Sequence, residues 1–258
     1  MIRMGPDRSR DQSAPQARVG TSGWSYDHWA GIFYPDHTAA AKRLSFYASR
    51  FDTVEVDGTF YRLPSEEAVA HWRDEVPEGF RFAVKGSRFI THFRRLEGVE
   101  EQVATFMRRM SVLGERLAVI LWQLPPGLHC DLDLLRRFLE LLPDDGVRHA
   151  IEFRDESWLA EEVFALLGEH GVAQVHVSSD EMPMELTPTA DFVYVRFHDT
   201  AAYHGAYEEP ALAPWCEFVS RQLAEGRDAF AYFNNDAGGH APVDATRFAE
   251  MIVRKVCV

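Results

Sequence analysis

Glu152 and Arg154 stand two residues apart in the run His149-Ala-Ile-Glu-Phe-Arg-Asp155. In an extended strand that spacing sends both to one face, opposite Ile151 and Phe153. A carboxylate and a guanidinium on one face of an apolar strand need company, because burying either charge unpaired costs several kcal/mol. The same alternation recurs along the chain. Glu55, Asp57 and Thr59 lie opposite Val54 and Val56, and Lys85 lies opposite Phe82 and Val84. Gln123 opposes Ile120, Trp122 and Leu124, while Tyr194, Arg196 and His198 oppose Val193, Val195 and Phe197. Tyr232, Asn234 and Asp236 share one further face, and Val175 and Val177 are read as outward, which turns Gln174, His176 and Ser178 inward.

Gathered in one place, these residues set Glu55, Asp57, Glu152 and Asp236 against Lys85, Arg154 and Arg196. Near-balance of charge is what a buried network requires. The chemistry that suits such a set is acid–base work on a small substrate bearing a carboxylate or phosphate. Lys85, Arg154 and Arg196 would hold the anion. Glu152 or Glu55 would act as general base with a pKa raised by a dry pocket, His198 as proton donor, and Asp236 would complete the catalytic group. The amides of Gln123, Asn234 and Asn235 are suited to orienting substrate oxygens. Trp24 and Tyr26, in the aromatic stretch Gly20–Pro35, offer faces on which a ring could stack, whereas Trp29 and Phe33 read as a cover for the core. Gly238 and Gly239, ahead of a helix start, add backbone N–H groups that could meet an anion.

The elements that must position these side chains are short strand-like runs at 18–24, 53–61, 81–87, 118–125, 149–155, 172–179, 192–199 and 228–235. Amphipathic stretches such as Asp131–Leu142 and Glu161–His170 alternate with them. Strands alternating with helices imply parallel βαβ units, and eight such strands in this length imply a single-domain TIM (β/α)8 barrel over residues 18–258. No glycine-rich phosphate fingerprint follows the first strand, which weighs against a doubly wound sheet. The connection between the sixth and seventh strands contains Pro183 and Pro188 and no helical period, so a loop is expected there. Residues 1–17 are polar, without an apolar segment typical of a secretory leader, and are expected to be a disordered tail.

Composition narrows the function classes. The chain has 258 residues, 46% of them hydrophobic, and 40 acidic against 27 basic side chains for a net charge of −13. That excess disfavours broad nucleic-acid binding while leaving room for a local basic site. Three scattered cysteines suit the thiols of a reducing, cytoplasmic compartment, and no apolar run is long enough to span a membrane. No organic cofactor is implied, no HExxH spacing exists, and no nucleophile elbow supports a Ser-His-Asp triad. Two alternatives stay open: a metal-dependent phosphodiesterase or nuclease-like barrel using Glu55, Glu152, His198 and Asp236 as ligands, and a non-enzymatic barrel that binds or senses an anion. A retaining glycosidase is less attractive, since Gln123 stands where such barrels often carry the acid.

The ordered series GTSGWSYDHWAGIFYP, TVEVDGTFYRLP, FAVKGSRFITH, QLPP, EFRDESW, YVRFHD and YFNND resembles the YecE-like proteins, a family with a TIM-barrel fold and no established reaction. The resemblance covers nearly all of residues 18–255. It implies the barrel, and it implies shared site positions at Trp24, Tyr26, Glu55, Thr59, Tyr61, Lys85, Gln123, Glu152, Arg154, Arg196, His198, Asn234, Asn235 and Asp236. The sequence departs from the family pattern at Gly58, Asp155 and Asp199.

Overall fold

The computed structural model describes residues 14–179, 185–198 and 205–256. Eight parallel strands, β1 (Ala17–Thr21), β2 (Thr53–Val56), β3 (Arg81–Lys85), β4 (Leu117–Gln123), β5 (Arg148–Glu152), β6 (Ala173–Ser178), β7 (Phe192–Phe197) and β8 (Asp228–Phe233), follow one another around a barrel. Each lies beside its neighbours in sequence, and β1 pairs with β8. The helices are α1 (Ala40–Ala48), α2 (Gly58–Tyr61), α3 (Glu66–Asp74), α4 (Glu100–Met110), α5 (Leu132–Leu139), α6 (Glu161–Glu169), α7 (Glu209–Ala224) and α8 (His240–Val256).

The seam between β1 and β2 is closed by few direct bonds. Gly23 N donates to Glu55 O at 2.7 Å, and lower down the Tyr47 hydroxyl stands between the strands, accepting from Thr21 N at 2.9 Å and donating to Thr53 O at 3.1 Å. Gly20 makes this approach possible, since a Cβ there would lie 2.4 Å from Thr53 O. In α5 a cap and an apolar stripe coincide. The Asp131 carboxylate accepts from Leu134 N, while Leu134, Leu135, Phe138 and Leu139 are buried against the barrel.

Two apolar layers result. Outward residues such as Val54, Ile120, Trp122, Ile151 and Val195 pack with the helices. Inward residues, including Ala83, Val119, Leu121, Ala150, Tyr194 and Phe230, fill the lumen. Above this plug, toward the C-terminal strand ends, the lumen turns polar at Glu55, Lys85, Gln123, Glu152 and Arg196. The inside–outside alternation is as expected from the sequence in β2, β3, β4, β5 and β7.

In β6 it is reversed. Val175 and Val177 belong to the lumen cluster. His176 instead faces outward, with its ring 4.8 Å from Phe218 and Nδ1 2.8 Å from Glu185 O. The cause lies in the next connection, whose described residues 185–191 contain no helix. A loop presents backbone carbonyls where a helix would present only side chains, so this strand can carry a polar residue on its outer face. Residues 180–184, the rest of that expected loop, lie outside the described residues. So do residues 1–13 of the expected tail, Asp199 and Cys257. Gln16 is already tied down, its N–H donating to Asp228 Oδ1 at 2.9 Å.

Candidate functional site

Arg196 is the hub of the polar layer. It is fully buried, and its Nε and Nη2 donate to Glu55 Oε1 at 3.2 and 2.8 Å while Nη1 donates to Glu152 Oε2 at 2.6 Å. The buried Glu55 also accepts from Ser22 Oγ at 2.5 Å and, through Oε2, from Tyr194 OH at 2.6 Å. Glu152 Oε1 accepts from Arg154 Nε. Strands β1, β2, β5 and β7 are thus joined through charge at the height where their apolar plug ends.

This arrangement corrects part of the expectation. Burial alone would raise the Glu152 carboxyl, but the Arg196 and Arg154 guanidiniums outweigh it and hold the group well below the usual carboxylate range. Glu152 is therefore a fixed anion and a poor base. Arg196 spends donors on two carboxylates, its Nη2 lies 3.7 Å from Asp57 Oδ1, and its side chain is fully buried, so it is not exposed to hold a substrate anion. His198 is likewise no proton donor: burial, reinforced by Arg196, lowers its pKa to about 3, so the ring is neutral. Its Nε2 lies 3.1 Å from Arg154 Nη2 and accepts from that guanidinium. The Asn234 amide lies 3.3 Å from Nδ1 on the other side of the ring.

Nearer the mouth the groups are less committed. Side chains of Lys85, Arg154 and Asp57 are 12%, 18% and 22% exposed. Lys85 Nζ stands 3.5 Å from Asp57 Oδ1, a loose pair, and lies 4.6 Å from the centre of the Phe60 ring. The pKa of Asp57 is raised, first by burial and then by the neighbouring Glu55 charge, against the opposing pull of Lys85 and Arg196. That is the protonation behaviour expected of Glu55 or Glu152, found on a residue two positions further along the same strand face. Parity placed Asp57 in the cluster; only the depth of burial separates its role from that of Glu55. His92 was likewise outside the expected set. It sits over Phe60, ring centres 4.9 Å apart, and burial and the Lys85 charge lower its pKa.

A cavity of about 600 Å3 opens beside Asp57, walled by Trp24, Tyr26, Thr59, Arg62 and Trp72. Trp24 meets Trp72 edge to face with centres 5.6 Å apart, and Tyr26 OH donates to Ser22 O at 2.7 Å. Trp29 is fully buried and Phe33 packs on Phe46, Tyr47 and Phe51, so both serve as cover. Gln123, half-buried, is aligned with Glu152 in the sheet and has no side-chain hydrogen bond among the described residues.

Two expected residues face elsewhere. Asp236 accepts from Trp29 Nε1 at 2.5 Å and lies 3.0 Å from His28 Nε2, fastening the loop after β1. Asn235 is fully buried and donates to Asp244 Oδ2 at 2.8 Å and to Gly205 O at 2.5 Å, which locks the start of α8. Gly239 N donates to Asp236 O at 2.9 Å, so that N–H serves a turn. Asp155 accepts from Ser157 N and caps a helical turn. Glu55, Glu152 and His198 gather around Arg196 while Asp236 is bonded to Trp29 and His28, and among the described residues no group of three or more His, Cys, Asp or Glu could hold a metal ion. The guanidiniums occupy the oxygens that a metal would need.

Comparison with known proteins places the chain in a family. Residues 18–256 match the family described as "Protein of unknown function DUF72". The UPF0759 protein YunF of Bacillus subtilis (strain 168) is 27% identical over 91% of this chain and 94% of its own. The UPF0759 protein YecE of Escherichia coli (strain K12) is 31% identical over 55% of this chain and 50% of its own. Among solved structures, a DUF72 family protein of Thermotoga maritima MSB8 superposes with a TM-score of 0.83 at 29% identity, covering 92% of this chain and 99% of that one. A D-psicose 3-epimerase shares the barrel alone, with a TM-score of 0.52 at 11% identity over 85% of this chain and 91% of that one. The resemblance to YecE-like proteins read from the motifs is thereby confirmed, and this chain belongs to the DUF72 family.

Proposed function

We propose that the protein is an enzyme acting on a small substrate that carries a carboxylate or phosphate, by acid–base chemistry at the C-terminal mouth of the barrel. One observation carries the reading. Lys85 and Arg154 reach the mouth with N–H groups to spare, while Arg196 together with the Nε of Arg154 already balances the two carboxylates beneath them. A cation above a balanced network attracts an anion from solution without unbalancing the core. Arg154 is held in place by Glu152 below and by neutral His198 beside it. That preorganised fork suits the paired oxygens of a carboxylate or phosphate.

The rest of the substrate would extend into the cavity beside Trp24 and Tyr26, past Asp57 on its wall. Asp57 is the proton-transfer group: part-exposed, raised in pKa and able to swap its Lys85 contact for a substrate hydroxyl or carbon acid. Gln123 and Asn234 supply amides to orient oxygens. Among the described residues Cys130 and Cys216 are free thiols, which suits a reducing cytoplasm. No described helix is long and apolar enough to cross a membrane.

Calorimetric titration with inorganic phosphate, citrate and simple 2-hydroxy acids tests the reading. Saturable binding is expected, lost in Lys85→Ala and retained in Asp57→Asn. Turnover of whichever anion proves to be a substrate should vanish in Asp57→Asn. Binding with no turnover of any bound anion would leave the barrel a binding protein, and no binding at all would overturn the pocket.

A further inference from the structure

The charge of −13 is not spread evenly. Residues 85–96 contain four basic side chains (Lys85, Arg88, Arg94 and Arg95) and no acidic one, and residues 58–65 add Arg62, again with no acid. Both segments lie at the mouth, α2 following β2 and the second segment following β3. Three aromatic rings on this face stand in solvent: Tyr61 and Phe93 are each 66% exposed and Phe89 is 45% exposed. They are not core residues that missed their place. The Arg88 guanidinium lies 5.2 Å from the centre of the Tyr61 ring and 5.4 Å from that of Phe93, so one cation bridges two exposed rings. Phe60 continues the row inward, 5.0 Å from Tyr61 and 4.6 Å below Lys85 Nζ.

The backbone is shaped to keep this face in position. Phe89–Phe93 is a single π-helical turn, and Arg95 and Leu96 adopt positive φ of 50° and 70°, a conformation in which L residues are uncommon. Arg95 Nη2 donates to Gly127 O at 2.8 Å, which ties the segment to the loop after β4.

Exposed π faces interleaved with guanidiniums fit one class of ligand, a chain that alternates phosphates with unpaired aromatic bases. We propose that this face is a platform for single-stranded nucleic acid, with bases stacking on Phe93 and Tyr61 and phosphates meeting Arg88, Arg94, Arg95 and Arg62. A duplex hides its base faces and would gain only the charge contacts. The acidic remainder of the protein repels the polyanion elsewhere, which confines binding to this patch and limits it to short segments. The proposal goes beyond the anion pocket of the preceding section; it shares Arg62 with the cavity wall there but uses neither Lys85 nor Arg154 as its anion contact, so each stands or falls separately.

The test is fluorescence anisotropy with a labelled single strand of about eight nucleotides, within the site sizes common for such grooves. Saturable binding is expected at about 50 mM salt, weakening steeply as salt rises. Tyr61→Ala with Phe93→Ala should weaken it roughly tenfold or more. Arg88→Ala should make the slope of log Kd against log salt shallower by about 0.7. Calorimetry with phosphate should be unchanged in Phe93→Ala alone. No binding at about 100 μM protein, two orders of magnitude above the tight end of non-specific affinities, would overturn the proposal. So would equal affinity for a duplex or for heparin with no effect of the aromatic substitutions, or tighter binding of an acidic, aromatic-rich peptide. Loss of phosphate binding in the unmodified protein alone would count against the anion pocket and leave the platform standing.

Discussion

The floor and the mouth of the polar layer are built from the same residue types, yet they behave as opposites. On the floor, Glu55, Arg196 and Glu152 are fully buried and satisfy one another at 2.6 to 3.2 Å. At the mouth, Lys85 and Asp57 face each other at 3.5 Å, and Arg154 is anchored at one edge only. Desolvation explains the difference. A charge cut off from water must be matched by fixed partners, whereas a part-exposed one can wait for a ligand. The floor positions; the mouth is free to react.

The sharpest way to break this contrast is to remove the hub. Arg196→Ala takes from buried Glu55 the guanidinium bonded to it and from buried Glu152 one of the two bonded there, and is expected to cost about 3–5 kcal/mol. For a chain of this size that lowers the melting temperature by roughly 10 °C or more. Adding Glu55→Gln and Glu152→Gln should recover part of the loss, because the stranded charges go with them. A melting temperature unchanged by Arg196→Ala would mean that water reaches the floor.

Acid tests the contrast more gently. Burial lowers His149 and His176 to about 4 and His198 to about 3, so all three stay neutral in the folded protein under conditions in which the unfolded chain binds protons. Unfolding therefore takes up protons below the ordinary histidine pKa of about 6.5. Stability from this source is flat above pH 6.5 and falls from there toward pH 4, by roughly 1.4 kcal/mol per pH unit for each neutral histidine. Chemical denaturation across that range should show the decline, and His176→Gln should make it shallower. A flat profile would place these imidazoles in water.

Much of this was legible beforehand. Two-residue alternation placed Glu55, Lys85, Gln123, Glu152, Arg154 and Arg196 together, because a parallel strand buried on both faces has no other home for a charge. The register of β6 was not legible. Its neighbour is a loop, and a carbonyl such as Glu185 O can satisfy an outward histidine that a pattern of hydrophobicity would turn inward. Nor could sequence separate Asp57 from Glu55, which share a face and differ only in depth. Asn235 and Asp236 misled for a related reason. Amides and acids past a strand end are equally able to fasten loops, and here they hold α8 and the segment after β1.

Arg154→Ala tests the central claim most directly, with thermal melting and phosphate calorimetry on the same preparation. Glu152 keeps Arg196 in this variant, so the melting temperature should fall by no more than a few degrees, in keeping with a part-exposed pair worth about 1 kcal/mol. Phosphate binding should disappear. A drop as large as that expected for Arg196→Ala, with phosphate binding intact, would make Arg154 part of the floor and would contradict the division between a closed network and an open mouth.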